Sequence, residues 1–159
     1  MKLAIRPAEV GDVPAIAELI RGLARFEKLE REVSMTEQLL TKNLFGPHRF
    51  AEALLAEEPG TPVGFALFFH NFSTFLALPG IYLEDLFVVP EHRGRGIGRA
   101  LLKHLARLAV ERGCGRLEWS VLDWNRDAIA FYERLGARAN SEWTVYRLTG
   151  EALTALGRE

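Results

Sequence analysis

The sequence predicts a mixed α/β (α+β) domain, a mostly antiparallel central sheet flanked by helices. Three observations carry that reading. The apolar-rich runs Phe50 to Glu57 and Val63 to Asn71 are joined by Glu58-Pro59-Gly60-Thr61-Pro62, which reads as an antiparallel hairpin. Tyr82 to Val89 is a strand closed by Pro90, and it runs through a glycine-rich turn into a long helix. Finally, the periodicities give the order strand, helix, helix, three strands, helix, strand, helix, strand, in which helices and strands share one core. At 159 residues the chain is expected to form a single domain over 1–159 with one sizeable core.

The elements follow in order. Leu3 to Arg6 is a short first strand. Asp12 is placed to cap a helix that runs to about Phe26-Glu27, with Val13, Ile16, Ala17, Ile20, Leu23 and Ala24 on one face. Ser34 and Glu37 have capping-box spacing for a second helix, which carries Leu39, Leu40 and Leu44 and stops at Gly46-Pro47. Phe72 to Gly80 reads as an apolar loop, suited to covering a pocket or meeting a second subunit. Ile97, Leu101, Leu102, Leu105, Leu108 and Ala109 keep to one face of the next helix, which Gly113 and Gly115 end. Leu117 to Leu122 is a strand. Asn125 or Asp123 caps a helix bearing Ala128, Ile129, Phe131, Tyr132 and Leu135, stopped by Gly136. Trp143 to Leu148 is expected as a last strand and Gly150 to Gly157 as a helical tail.

Composition sets bounds. A net charge of −1 argues against a general nucleic-acid or membrane-surface binder. A single cysteine, Cys114, excludes an internal disulfide and fits a reducing cytoplasm. No apolar run is long enough to span a bilayer. The four histidines and Cys114 lack metal-ligand spacing, so no metal is expected.

The chemistry concentrates in Arg93-Gly94-Arg95-Gly96-Ile97-Gly98-Arg99. Glycines at 94, 96 and 98 let backbone N–H groups approach a ligand, and the helix that follows turns its positive end to the same place. Such a turn suits phosphate oxygens. It is not a dinucleotide fingerprint, because the third glycine of G-x-G-x-x-G falls on Arg99 or on Leu101. It is not a P-loop either, since no Gly-Lys-Ser/Thr follows.

What stands there resembles the acetyl-CoA pyrophosphate loop of the GNAT N-acetyltransferase superfamily, R/Q-x-x-G-x-G/A. A second stretch, Asn125-Arg126-Asp127-Ala128-Ile129-Ala130-Phe131-Tyr132-Glu133-Arg134-Leu135-Gly136, resembles that superfamily's N-x-x-A-x-x-F-Y-x-x-x-G. Arg6-Pro7-Ala8, Phe26-Glu27, Tyr82-Leu83-Glu84-Asp85 and Trp124-Asn125 look like the spermidine/spermine (diamine/thialysine) acetyltransferase subfamily. The resemblance covers nearly the whole chain. It implies an acetyl-CoA-dependent N-acetyltransferase acting by direct transfer on a primary amine of a small molecule, and it suggests a homodimer.

The same resemblance assigns roles. Tyr132 is the general acid, and Glu84 is a base acting through water as well as an amine anchor. Leu86, Phe87 and Val88, Arg93 to Arg99 (with Gly94, Arg95, Gly96, Ile97 and Gly98) and Asn125 and Ala128 form the cofactor site. A backbone amide near Phe87 polarises the thioester carbonyl. Phe26, Glu27, Glu84, Glu142 and Trp143 are candidate substrate contacts, the acids as cation binders and Trp143 as a cation–π face. Asp85 alternates to the face opposite Glu84 in a regular strand, so both acids line one pocket only if the strand is bulged. Lys28 and Arg31 dilute the negative charge after the first helix, so a short diamine or a lysine-like amino acid is at least as credible a substrate as a long polyamine. The rival functions are a protein N-terminal or lysyl acetyltransferase and an acyl-CoA-binding module without turnover.

Overall fold

The computed structural model describes residues 2–159 and divides into two compact units, one ending at Ser120 and one running Val121–Glu159. The first unit holds β1 (Ala4–Pro7), α1 (Val13–Glu27), α2 (Glu37–Phe45), β2 (Glu52–Glu58), β3 (Thr61–Ser73), β4 (Leu78–Val88), α3 (Ile97–Glu111) and β5 (Leu117–Trp119). Its sheet has the order β1-β2-β3-β4-β5, antiparallel throughout except for the parallel β4–β5 pair. The expected fold class is the observed one.

Helices cover both faces of the sheet. On one face Ile16 and Leu19 of α1 and Leu44 of α2 pack with Ala53, Leu55, Phe65 and Phe87. On the other, α3 buries Ile97, Leu101, Leu102, Leu105 and Ala109. β3 is the central strand, and Val63 to Ala66 are buried on both of its faces, which is why that stretch reads as an unbroken apolar run.

Several local expectations change. Asp12 does not cap α1 with its side chain. Its carboxylate accepts from the Arg6 guanidinium at 2.7 and 2.9 Å and from the Glu9 amide at 2.7 Å, and these charge-assisted bonds hold it below the usual carboxylate range. The cap of α2 is Thr36, whose Oγ1 accepts from the Leu39 amide at 3.1 Å, and not Ser34. The β2–β3 connection tightens to Pro59-Gly60, with Gly60 at φ +74°. The apolar stretch Phe72 to Gly80 is not a loop: β3 and β4 pair through Ser73 and Leu78, leaving only a short turn. Extending the hairpin satisfies its backbone groups while Phe72, Phe75 and Leu76 stay exposed. β5 ends at Trp119, short of Leu122.

The second unit contains α4 (Arg126–Arg134) and α5 (Gly150–Leu156). Asn125 caps α4, its Oδ1 accepting from the Ala128 amide at 3.3 Å, and Gly136 turns the chain at φ +90°. The helical tail forms as expected, but the last strand over Trp143–Leu148 does not. Among the described residues that segment enters no ladder, and Val145 and Tyr146 are 83% and 94% exposed. Alternating apolar residues suit a strand, but a strand exists only where another edge accepts its hydrogen bonds.

Candidate active site

β4 outruns its neighbour. β5 pairs with it only at Ile81, Tyr82 and Leu83, whereas β3 follows it to Val88. The fork begins where the Tyr82 hydroxyl meets Ser120 Oγ at 2.6 Å. Beyond Leu83 one edge of β4 is therefore unpaired by β5.

A β-bulge sits at the fork. Leu83 faces Phe68 and Asp85 faces Leu67, so Glu84 is an extra residue with no partner of its own in β3. The bulge decides which amides face the open edge. The Val89 amide donates to Val63 at 2.9 Å, and bonded pairs recur every second residue, so the amides of Phe87 and Asp85 also belong to β3. Leu86 and Val88 present theirs to the gap. The Phe87 amide, expected to polarise a carbonyl, thus points into the sheet, its neighbours' amides face the gap, and the Phe87 ring lies in the core at 4% exposure.

The glycine turn forms the next part. Gly94 and Gly96 stand at φ +73° and +80°, a backbone region where a Cβ is strained. A Cβ built on Gly94, Gly96 or Gly98 meets no atom within 4 Å, so open space lies over the turn. Gly96 is the N-cap of α3, and the Ala100 amide is the first to return to it, at 3.0 Å. The amides of Ile97, Gly98 and Arg99 then lack partners within the helix, as helix starts do. Open space, free amides and a helix N-terminus fit a pyrophosphate.

The arginines of the turn have partners inside the protein. Arg93 Nε donates to the Val88 carbonyl at 2.9 Å, and its guanidinium lies 4.4 Å from the centre of the Phe26 ring and 5.4 Å from that of Phe87. Arg93 thereby joins the glycine turn to the end of α1. Arg95 pairs with the buried Glu58 at 2.9 Å. A cleft of about 690 Å³ runs along α1 and is lined by Gly22, Arg25, Phe26, Phe87 and Pro90 among others.

Three carboxylates interact beside the bulge. Glu84 is exposed and Asp85 is half-buried. Burial lifts the Asp85 carboxyl to about 6, and the negative charges of Glu84 and Glu27 add to the rise. Glu27, at the end of α1, is also raised by burial. The bulge is the condition under which Glu84 and Asp85 are expected to line one pocket, since it breaks the alternation of a regular strand. Asp85 is the residue that sequence reasoning passed over. Its one signal was position, adjacent to Glu84 at a strand end.

Five expected site residues belong to the second unit. Tyr132 is half-buried on α4, its ring 5.5 Å from that of Phe131 at 49°. Asn125 and Ala128 are joined by the cap described above. Glu142 and Trp143 are exposed in the stretch without regular structure. Among the described residues no group of three His, Cys, Asp or Glu could hold a metal ion, and no helix is long and apolar enough to cross a membrane.

This fork, turn and acid cluster define an acyl-transfer scaffold, and the comparisons agree. The chain matches the Acetyltransferase (GNAT) family over residues 15–137 and belongs to it. It is 41% identical to a thialysine N-epsilon-acetyltransferase from Bos taurus over 163 residues, covering 96% of this chain and 95% of the relative. It is 35% identical to an L-ornithine N5-acetyltransferase of Arabidopsis thaliana, covering 97% and 87%. Among solved structures it resembles an integron cassette protein from the mobile metagenome of V. cholerae, with a TM-score of 0.83 and 29% identity over 100% and 99% of the two chains.

One consequence is testable at the turn. Gly96→Val places a branched side chain both in the left-handed region and in the open space over the turn. We expect acetyl-CoA affinity to fall at least about tenfold by calorimetry, with folding stability lowered only by the backbone strain, roughly 1–2 kcal/mol. Unchanged affinity in the folded variant would remove the turn from the cofactor site.

Proposed function

We propose that this GNAT enzyme acetylates a primary amine of a small dicationic molecule, a short diamine or a lysine-like amino acid, with acetyl-CoA as donor. The observation that carries the proposal is the cluster of Glu27, Glu84 and Asp85 beside the free edge of β4. Relatives named for thialysine and for ornithine support the same class, since each substrate carries two amino groups.

The chemistry follows from charge. An alkylamine with pKa about 10.4 is almost wholly protonated at pH 7, and only its neutral form attacks a thioester. Glu84 anchors the ammonium, and the Glu84–Asp85 pair takes its proton, directly or through water. A carboxyl near 6 is ionised at neutral pH and accepts a proton more readily than an ordinary carboxylate. The nitrogen then bonds to the thioester carbon. The developing oxyanion is stabilised by a gap-facing amide of Leu86 or Val88. As the C–S bond breaks, Tyr132, proposed on the strength of the motif match, gives its proton to the thiolate, and the second amine proton leaves the nitrogen through water and restores the tyrosine. Direct transfer is favoured over an acyl-cysteine route, because Cys114 lies at the far end of α3 from the turn.

Acetyl-CoA would lie along the open edge of β4, its pyrophosphate on the amides at Gly94 to Arg99. Asn125 and Ala128 are proposed as further cofactor contacts, and Phe26, Glu142 and Trp143 as substrate contacts, on the strength of the motif matches. A second ammonium would meet Glu27. We expect kcat/KM for a diamine to exceed that for a monoamine of equal length by tenfold or more, measured by thiol release. Equal rates would mean that the second-charge pocket does not exist.

A homodimer and a cytoplasmic location complete the proposal. The exposed Phe72, Phe75 and Leu76 at the β3–β4 turn support the first, and the unpaired thiol of Cys114 fits a reducing compartment. Light scattering on the eluting protein tests the dimer. A monomeric mass at micromolar concentration would remove it.

A further inference from the structure

The cofactor turn is tied down by a residue outside every motif. Glu58 closes β2, and its side chain is 8% exposed. One oxygen, Oε2, lies 2.9 Å from His92 Nδ1 and 2.9 Å from Arg95 Nη1. His92 ends the short helical turn Pro90–His92, and Arg95 stands between the two left-handed glycines. His92 Nδ1 has an acceptor, the Glu58 carboxylate, and a donor, the Arg95 guanidinium, both within hydrogen-bonding distance, and the tautomer decides which of the two it bonds. Arg95 Nη1 also lies 3.0 Å from His92 Nδ1, so the three side chains form one compact knot.

A turn with glycines at 94, 96 and 98 has many conformations to lose when it binds a ligand. Fixing it beforehand lowers that entropic penalty. Resting on the acetyl-CoA reading above, we propose that Glu58 is a positioning residue for the pyrophosphate turn. It holds His92 and Arg95, and so presets the amides of Gly94 to Gly98. The charge of Arg95 is then spent on Glu58 and is not available to the ligand. Glu58 thus acts on cofactor binding from the β2–β3 hairpin, through two side chains of the turn.

The two possible uses of Arg95 make opposite forecasts. If Arg95 is a strut, Glu58→Gln loosens the turn, and acetyl-CoA affinity falls about 5–20-fold by calorimetry. If Arg95 binds phosphate directly, Glu58→Gln frees its charge, and affinity stays the same or rises. Arg95→Gln should weaken binding to a similar extent. The double variant should be no weaker than the weaker single one, because both remove one interaction. The dependence of affinity on salt should match wild type in Arg95→Gln, since a strut releases no ligand-bound charge. In Glu58→Gln the amine KM and kcat at saturating acetyl-CoA should move less than twofold, a split that general destabilisation would not give.

An unchanged or tighter Glu58→Gln variant overturns the proposal. So does a flattened salt dependence in Arg95→Gln. If Glu58→Gln does not fold, Arg95→Gln decides alone, because the Arg95 side chain is 43% exposed and its loss leaves no cavity. A wild-type protein that binds no acetyl-CoA would instead sink the functional reading itself. Binding by wild type with unmoved variants sinks only the role of Glu58.

Discussion

Tyr132→Phe is expected to lower kcat by about 10²–10⁴-fold, nearer the lower end, because a thiolate is already a fair leaving group near pH 7. The substitution removes one oxygen and keeps the ring, so its packing at 5.5 Å from Phe131 survives. The cap of α4 uses Asn125 and the Ala128 amide, neither of which is touched. Acetyl-CoA affinity should shift by no more than the ~1 kcal/mol of one neutral hydrogen bond. Thermal stability should be close to wild type. A tyrosine that only fills space makes the opposite forecast, with turnover within a few-fold of normal. One variant, measured for kcat, cofactor affinity and melting temperature, separates the two. A stable, cofactor-binding variant with near-normal turnover would show that Tyr132 is not the acid.

The pair Glu84–Asp85 gives the second large effect, read from pH profiles. In wild type, kcat/KM should rise through a limb near pH 6, where Asp85 ionises. Asp85→Asn should abolish that limb and lower the rate near neutrality by about 10²-fold, with partial recovery at high pH as the amine deprotonates unaided. Glu84→Gln should slow the enzyme too, but its signature differs. It removes a negative charge that holds Asp85 up, so the surviving limb should move to lower pH. Limbs unaltered in both variants would take the pair out of the mechanism.

The same carboxyl sets a stability cost. An unfolded aspartate ionises near 3.8, and the folded one near 6. Between those values the folded state keeps a proton that the unfolded state has released, so stability falls as pH rises through the window. Asp85→Asn should therefore be more stable than wild type at pH 7, by roughly 1–3 kcal/mol, while being nearly inactive. Loss of activity with gain of stability separates a functional strain from a folding defect.

What the sequence made legible was local. The glycines of the turn, the one-sided apolar pattern of α3 and the Asn125 cap each declare themselves within a few residues. The misread features depend on partners distant in the chain. Ser34 has capping-box spacing with Glu37, but Thr36 takes the cap, and only where α2 begins decides it. The extra residue in β4 is defined by its register against β3, which no stretch of β4 encodes alone. Trp143–Leu148 has the alternation of a strand, but pairing is a property of two edges. The lift of Asp85 comes from burial beneath neighbours and from Glu27, far away in sequence. Glu58 lies 34 residues from His92, and nothing nearby marks it.

The extra residue at position 84 also works as a phase shift. Before it, Leu83 sits across from Phe68, on the side where Arg112 at the end of α3 stacks over the Phe68 ring. After it, Phe87 sits across from Phe65 and packs against α1 and α2. One strand thus changes which layer it feeds halfway along, and its open-edge amides switch parity at the same point. Substitutions at 84 test its charge alone, whereas a deletion removes the bulge as well. Without residue 84, Leu83 and Asp85 would stand side by side opposite Phe68 and Leu67, in a regular ladder where Leu86, Phe87 and Val88 keep their partners in β3. The Phe87 ring would stay with Ile16 and Leu19, and the open-edge amides would stay where they are. The insertion therefore adds one exposed carboxylate beside the open edge without disturbing the register on either side of it.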